Sequence, residues 1–253
     1  MNEDYKSLEK ILVPDLKIIG NNNMALTPDS LLFKHRTLYL TGAILPETSH
    51  HVNAALLALD QNIKEDCEDN ESNRIILYLE SPGGAVNNGL AIYDTMKHIN
   101  SPVYTVAIGM AASMGAILMM GGDKRFALPN STIMFHEIRN NSSRDQTITF
   151  TDMEMMRGYM NRLNDIAVDI VVDEIRKDED GMIPYFGGPT DILKLDEIEP
   201  TKMDKKEFRN WFKKWIARDR YLLAQDAKNL GFIDDIIHIR DKYVKLPESE
   251  NYC

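Results

Sequence analysis

Three residues of this chain carry side chains suited to acyl transfer, and each falls at the edge of an expected regular element. Ser113 follows the apolar run Val103-Tyr-Thr-Val-Ala-Ile108, which is bounded by Pro102 and Gly109 and predicts a buried parallel strand. A short apolar helix is expected next, so Ser113 occupies a strand-to-helix turn. Ala111, Ala112 and Gly115 around it leave room for another molecule's backbone. The N–H groups and positive dipole end of a helix N-terminus favour an oxyanion formed there. The plainer reading of Ser113 is an N-cap in a well-packed turn.

His136 closes another expected strand, Ser131-Thr-Ile-Met-Phe135, and Asp219 stands just before a short helix expected to end at Gly231. Together the three offer a nucleophile, a base and an orienting carboxylate. Spacing alone does not decide the matter. The order Ser…His…Asp differs from the Ser…Asp…His order of α/β-hydrolases, and Ala111 breaks the G-x-S-x-G elbow.

The elements that must position these residues alternate in type. Thr37–Thr41 reads as a strand, and Thr48 to about Ile63 as a helix with Val52, Ala55, Leu56 and Leu59 at helical spacing. Arg74–Leu79 is a further apolar strand. Gly83-Gly84 then turns the chain into a helix through His98. Glycines there allow close approach and an N–H left open to a ligand oxygen, or simply an ordinary strand–helix turn. Repeated βαβ crossovers of this kind predict an α/β layer with its site at the carboxyl ends of the strands. A long helix is expected from about Thr151 to Arg176, with Met153, Met156, Met160, Leu163, Ile166, Ala167, Ile170 and Val171 as an apolar contact stripe. Asp204 opens another helix, to about Ala217, whose face of Phe208, Trp211, Phe212, Trp215 and Ile216 is expected to pack on the long helix or on a neighbouring subunit.

Composition narrows the partners. There are 29 Lys plus Arg against 39 Asp plus Glu, a net charge of −10, which argues against nucleic acid or an anionic membrane as main partner. Cys67 sits in an acidic stretch and Cys253 is the last residue, so neither a metal site nor a disulfide is expected. A reducing, cytoplasmic compartment is. Met1-Asn-Glu-Asp-Tyr-Lys lacks the marks of a signal or transit peptide. The charge-free window between His98 and Gly122 is long enough to mimic a membrane span, but Pro102, Gly109 and Gly115 break it into strand, turn and helix. G-x-x-x-x-G-K-[ST] is absent, so no nucleotide or other cofactor is expected on this chain.

The segments Leu38-Tyr-Leu-Thr-Gly42, Leu79-Glu-Ser-Pro-Gly-Gly84, Ala91-Ile-Tyr-Asp-Thr-Met96, Ala111-Ala-Ser-Met-Gly-Ala116, Lys124-Arg-Phe-Ala-Leu-Pro-Asn-Ser131 and Arg218-Asp-Arg-Tyr221, in this order, resemble ClpP, the proteolytic subunit of the ATP-dependent Clp protease. The resemblance spans roughly Asp29 to Ile239. It implies a ClpP/crotonase-like layered fold of repeated βαβ units with a protruding handle helix. It divides the chain into a flexible N-terminal segment, 1–28, a serine peptidase domain, 29–240, with handle 139–176 and insertion 177–206, and a loose tail, 241–253.

By the same resemblance Ser113, His136 and Asp219 are the catalytic triad, and the N–H groups of Gly84 and Met114 form the oxyanion hole. The implied activity is endopeptidase cleavage of unfolded polypeptides inside a homo-oligomeric ring, heptameric or stacked as a double heptamer. An AAA+ unfoldase of the ClpX, ClpA or ClpC type would feed that ring and consume the ATP. Two departures stand out. No glycine occurs between Gly122 and Gly158, where ClpP carries a glycine-rich strand that binds substrate backbone, and the stretch from His136 to Asp219 is lengthened by the insertion.

Three rivals remain at this level. A crotonase-like acyl-CoA enzyme shares the layered fold and a backbone oxyanion hole but needs no Ser113–His136–Asp219 set. A Ser–Lys protease would use Lys97 or Lys124 as base. A catalytically silent ClpP-like ring subunit would bind without cleaving.

Overall fold

The computed structural model describes residues 18–19, 25–62, 70–139, 149–175, 181, 183–185 and 201–238. The N-terminal segment expected to be irregular is described only at 18–19 and 25–28, and there it is regular. Ile18–Ile19 (β1) pairs antiparallel with Ala25–Leu26 (β2). Thr27 then caps helix α1, Pro28–Lys34, by accepting from Ser30 N, with proline in the first turn where a missing N–H costs nothing. Cys67, Cys253, the tail 241–253, the segment 140–148 and most of the insertion lie outside the described residues.

The repeating units follow in chain order. They are β3 (Thr37–Thr41), α2 (Pro46–Gln61), β4 (Ile75–Ser81), α3 (Val86–His98), β5 (Val103–Ala112), α4 (Met114–Met120), β6 (Lys124–Ala127) and β7 (Thr132–Phe135). The remainder comprises α5 (Phe150–Glu174), β8 (Ile183–Tyr185), β9 (Thr201–Met203), α6 (Lys205–Trp215), β10 (Arg220–Leu223), α7 (Ala224–Asn229) and β11 (Asp235–Ile236). Seven strands form one sheet in the order β10-β7-β5-β4-β3, with β6 against β5 and β11 against β6. All neighbours are parallel except β10, which runs antiparallel to β7. The expected α/β class is what the chain adopts: a mostly parallel sheet flanked by helices.

Strand β5 is the axis of that sheet. Its first half pairs with β6, Tyr104–Ala107 beside Lys124–Ala127, and its last residues pair with β7, Met110–Ala112 beside Thr132–Met134. The strand was expected to stop at Gly109. It runs on to Ala112 because Gly109, with φ of 64°, redirects the chain from one partner to the next without ending the ladder. Every residue of α4 is buried, which accounts for its apolar character on all sides without a membrane. No described helix is long and apolar enough to cross a membrane.

The apolar stripe expected on the long helix divides in two. Leu163, Ala167, Ile170 and Val171 are buried in the core, whereas Met153, Met156 and Ile166 are exposed, as are Phe150 (73 %) and Met155 (69 %). Helix α6 begins just after Asp204, which caps it by accepting from Glu207 N, and buries Phe208, Phe212 and Trp215. That aromatic face packs inside the subunit: Phe212 lies 5.6 Å from the Phe135 ring, and Trp215 stacks 6.2 Å from Phe232. Its polar side meets α5, where Arg209 and Lys213 pair with Asp165 at 3.3 and 2.6 Å and Arg209 also reaches Asp169. These pairs are partly exposed, so they orient α6 more than they stabilise it.

Candidate active site

Ser113 lies where β5 hands the chain to α4, and its backbone is unusual. With φ 54° and ψ −122° it occupies a region that costs a non-glycine residue about 1–3 kcal/mol. Local hydrogen bonds hold it there. Ser113 N donates to Met134 O at 2.8 Å, and Ser113 O accepts from Ala116 N and Ile117 N at 3.0 and 3.2 Å. The residue is thus the N-cap of α4 by backbone, yet its side chain makes no capping bond. Ser113 Oγ instead lies 2.7 Å from His136 Nε2. The plain reading of Ser113 as a capping side chain fails on this geometry.

His136 leaves the end of β7 into a segment tied down on two sides. Glu137 N donates to Ile216 O at 2.8 Å, and Ile138 N donates to the buried Asn164 Oδ1 of α5 at 3.1 Å. Asp219 arrives from far along the chain by strand register. Arg220 sits opposite Phe135 in the antiparallel β10–β7 ladder, so Asp219 falls opposite His136. The strand β10 between Asp219 and α7 was not expected from the sequence. It forms because β7 offers a free edge, and it is what places the carboxylate.

The third contact of the set is open. Asp219 Oδ1 lies 3.8 Å from His136 Nδ1, beyond hydrogen-bond length, and that buried nitrogen has no partner among the described residues. The same Oδ1 is taken by the guanidinium of Arg139. For the Ser113 hydroxyl to donate to Nε2, the imidazole proton must reside on Nδ1, facing the gap. Arg139 was legible only as a charged residue three positions past His136, at the head of a polar stretch; nothing in its spacing from Asp219 announced the pair. Asp226, the other carboxylate near Asp219 in sequence, caps α7 by accepting from Leu223 N at 3.3 Å.

Burial, and after it the Arg139 cation, hold the His136 imidazole below its ordinary value, with Asp219 offsetting part of the effect. A base must be neutral to accept a proton, so a lowered pKa keeps it competent to lower pH. The acidic limb of kcat/KM is therefore expected below about 6.5. Arg139→Gln should move that limb upward. A pH–rate profile checks both, and a limb at or above about 6.5 in the unmodified protein contradicts the electrostatics.

The turn after β4 completes the site. Gly83 has φ of 92°, and a Cβ there would lie 2.6 Å from Ser113 Cβ and 3.0 Å from Met114 N, so only glycine lets the two turns touch. Ser81 secures this turn, donating from Oγ to Gly42 O at 2.6 Å and accepting from Gly83 N at 3.1 Å. That positioning role was not evident from sequence. Gly84 forms a parallel bridge with Ile44, in which Ile44 N donates to Gly83 O and Ala85 N donates to Ile44 O. The N–H groups of Gly84 and Met114 have no acceptor among the described residues.

A Cβ on Gly84 would lie 2.3 Å from Ile44 O, a backbone atom held by that bridge. Gly84→Ala is expected to cost about 1–3 kcal/mol, by analogy with overpacking. The melting temperature should fall by roughly 2–4 °C per kcal/mol. Calorimetry checks this, and a melt indistinguishable from that of the parent would show that the bridge yields freely.

Between these turns lies a cleft of about 350 Å³. Val86, Ile117, Ala167, Phe212 and Ile216 give it an apolar lining, and Ser113, His136 and Arg139 border it. Helix α6, which the sequence left without a chemical role, thus lines the cleft through Phe212 and its C-cap residue Ile216. Lys97 and Lys124, the candidate bases of a Ser–Lys protease, are elsewhere, paired with Glu174 at 2.8 Å and Glu71 at 3.2 Å. Among the described residues no group of His, Cys, Asp and Glu could hold a metal ion.

The family model for Clp protease matches residues 20–182. The chain belongs to the Clp protease family. Membership makes it a ClpP-like peptidase of the serine hydrolase type, and the matched span takes in Ser113, His136, Gly84 and Met114. The match ends before α6 and β10, so Asp219 and the α6 lining of the cleft rest on the geometry alone.

Proposed function

We propose that this protein is a serine endopeptidase that cleaves unfolded polypeptides, with Ser113 as nucleophile, His136 as general base and then acid, and Asp219 as the group that orients the imidazole. The observation that carries this reading is the 2.7 Å approach of Ser113 Oγ to His136 Nε2, made by a serine on a strained turn that its side chain does not cap. His136 takes the hydroxyl proton as Oγ attacks the peptide carbonyl, then delivers it to the leaving amine. The N–H groups of Gly84 and Met114 receive the oxyanion, being free of other acceptors among the described residues and joined by the contact at Gly83. Water then releases the acyl group by the same steps in reverse. No cofactor enters the chemistry, and ATP belongs to the partner that unfolds the substrate.

In this reading the chain works as a homo-oligomeric ring, heptameric and stacked as a double ring, in a reducing cytoplasmic compartment and served by an AAA+ unfoldase. The exposed apolar half of α5, from Phe150 to Tyr159, supports the assembly. Apolar burial contributes roughly 25 cal/mol per Å², and a ring repeats that surface in every subunit. Native mass spectrometry and sedimentation test it, since a persistent monomer or dimer that stays active would exclude a chamber. A catalytically silent subunit is the second reading, favoured by the hold of Arg139 on Asp219. A fluorophosphonate probe separates the two. Labelling of Ser113 supports the hydrolase, and an unlabelled, folded protein supports the silent subunit.

A further inference from the structure

Two donors compete for one oxygen beside the nucleophile. Asp219 Oδ1 is held by Arg139 while the Nδ1 of His136, 3.8 Å from that oxygen, is buried without a partner among the described residues. The competitors differ in freedom. The Arg139 side chain is 54 % exposed, whereas that of His136 is 15 % exposed and its flanking backbone is tied to Ile216 and Asn164. Arg139 can therefore turn away and the imidazole cannot. Arg139 is also the one fixed charge among the described residues that line the cleft, whose other walls, Ser113 and His136 apart, are apolar or backbone. An anion entering the cleft meets this guanidinium and no lining carboxylate.

We propose that Arg139 reads a carboxylate on the substrate and, in turning to it, releases Asp219 to His136. The inference rests on the peptidase reading of the site and adds a substrate class to it: chains carrying a carboxylate next to the scissile bond. The chemistry is ordinary for arginine, whose planar fork binds a carboxylate through two parallel N–H bonds. Exchanging one carboxylate for another leaves the guanidinium paired throughout. Asp219 needs to close roughly 1 Å to bring Oδ1 within hydrogen-bond distance of Nδ1. A neutral substrate leaves Arg139 on Asp219, so the imidazolium forms without its counter-charge. The residue thus sets specificity at the cleft mouth and acts on the chemistry only through Asp219, as a positioning residue. The carboxylate has two sources, an acidic side chain or the free C-terminus of a short chain.

The test uses the full-length protein and amidated peptides identical except for Glu or Gln beside the scissile bond, with the Gln peptide also supplied bearing a free C-terminus. The expected advantage of the carboxylate is about ten- to a hundredfold in kcat/KM, the range of a charge-assisted hydrogen bond. A good part of it should appear in kcat, because freeing Asp219 acts on the chemical step. In Arg139→Gln the Glu/Gln ratio should fall to about one while kcat for the neutral peptide rises. Arg139→Lys, which keeps the charge but not the fork, should give an intermediate ratio. An advantage confined to the free-terminus arm assigns the carboxylate to the chain end. A ratio of one in both arms for the unmodified protein, or a ratio unchanged in Arg139→Gln, overturns the proposal. Should Arg139→Gln not fold, the unmodified protein and Arg139→Lys carry the decision. Fluorophosphonate labelling of each sample keeps the two readings apart: no label on Ser113 removes the peptidase, whereas label without discrimination removes only the role of Arg139.

Discussion

Ser113→Ala is expected to lower kcat for peptide hydrolysis by about four to six orders of magnitude while the fold survives. Ser113 Oγ has His136 as its hydrogen-bond partner and makes no capping bond, so the substitution removes no contact that holds the turn. Alanine keeps the Cβ that packs against Gly83, and it meets the same positive φ as serine, so strain is neither added nor relieved. Single-turnover kinetics on a short peptide, beside a thermal melt, check both halves. Retention of a substantial part of the activity would remove Ser113 from the mechanism.

Asp219→Asn is expected to reduce kcat by about three to four orders of magnitude, or about 4–5 kcal/mol of transition-state stabilisation at about 1.36 kcal/mol per tenfold. Two effects act in the same direction. The amide cannot offset the charge that His136 acquires, and the Arg139 cation loses the carboxylate that holds and screens it. Arg139 already lowers the His136 pKa and Asp219 raises it, so their balance tips further down in the variant. The acidic limb of the pH profile should therefore move lower as kcat falls, opposite to its movement in Arg139→Gln. Asp226→Asn is the control, since Asp226 caps α7 and should alter stability more than turnover. Equal losses of kcat in both variants would mean that Asp219 is not the orienting group.

Much of this molecule was legible in its sequence because local pattern and burial agree. The run from Val103 to Ile108 has no charge to solvate and could only be an interior strand, and the uncharged α4 is buried on every side. Ser113 at a strand–helix junction, His136 at a strand end and glycines at 83 and 84 were readable in place, since turn chemistry depends on residues adjacent in the chain. Helices α2, α3 and α6 were readable from turn residues and apolar spacing, although α2 runs from Pro46 to Gln61 rather than from Thr48 to about Ile63, and of the three only α6 carries a side-chain cap, at Asp204.

What pairing decided was hidden from any local pattern. Gly109 redirects β5 because β6 and β7 lie in succession along one side of it, and the residue alone reads as a strand end. The aromatic face of α6 was visible, but that it would close over Phe135 and line the cleft depended on how the chain after the insertion returns to the sheet. Asp219 was marked as a candidate by its motif. Its approach to His136 is set by the antiparallel register of β10 on β7, and its capture by Arg139 is set by where the segment after β7 leaves the strand. Sequence specifies which groups can ionise, donate or attack. Small distances between groups far apart in the chain, such as the gap that leaves His136 Nδ1 without a partner among the described residues, arise only when strands pair and helices pack.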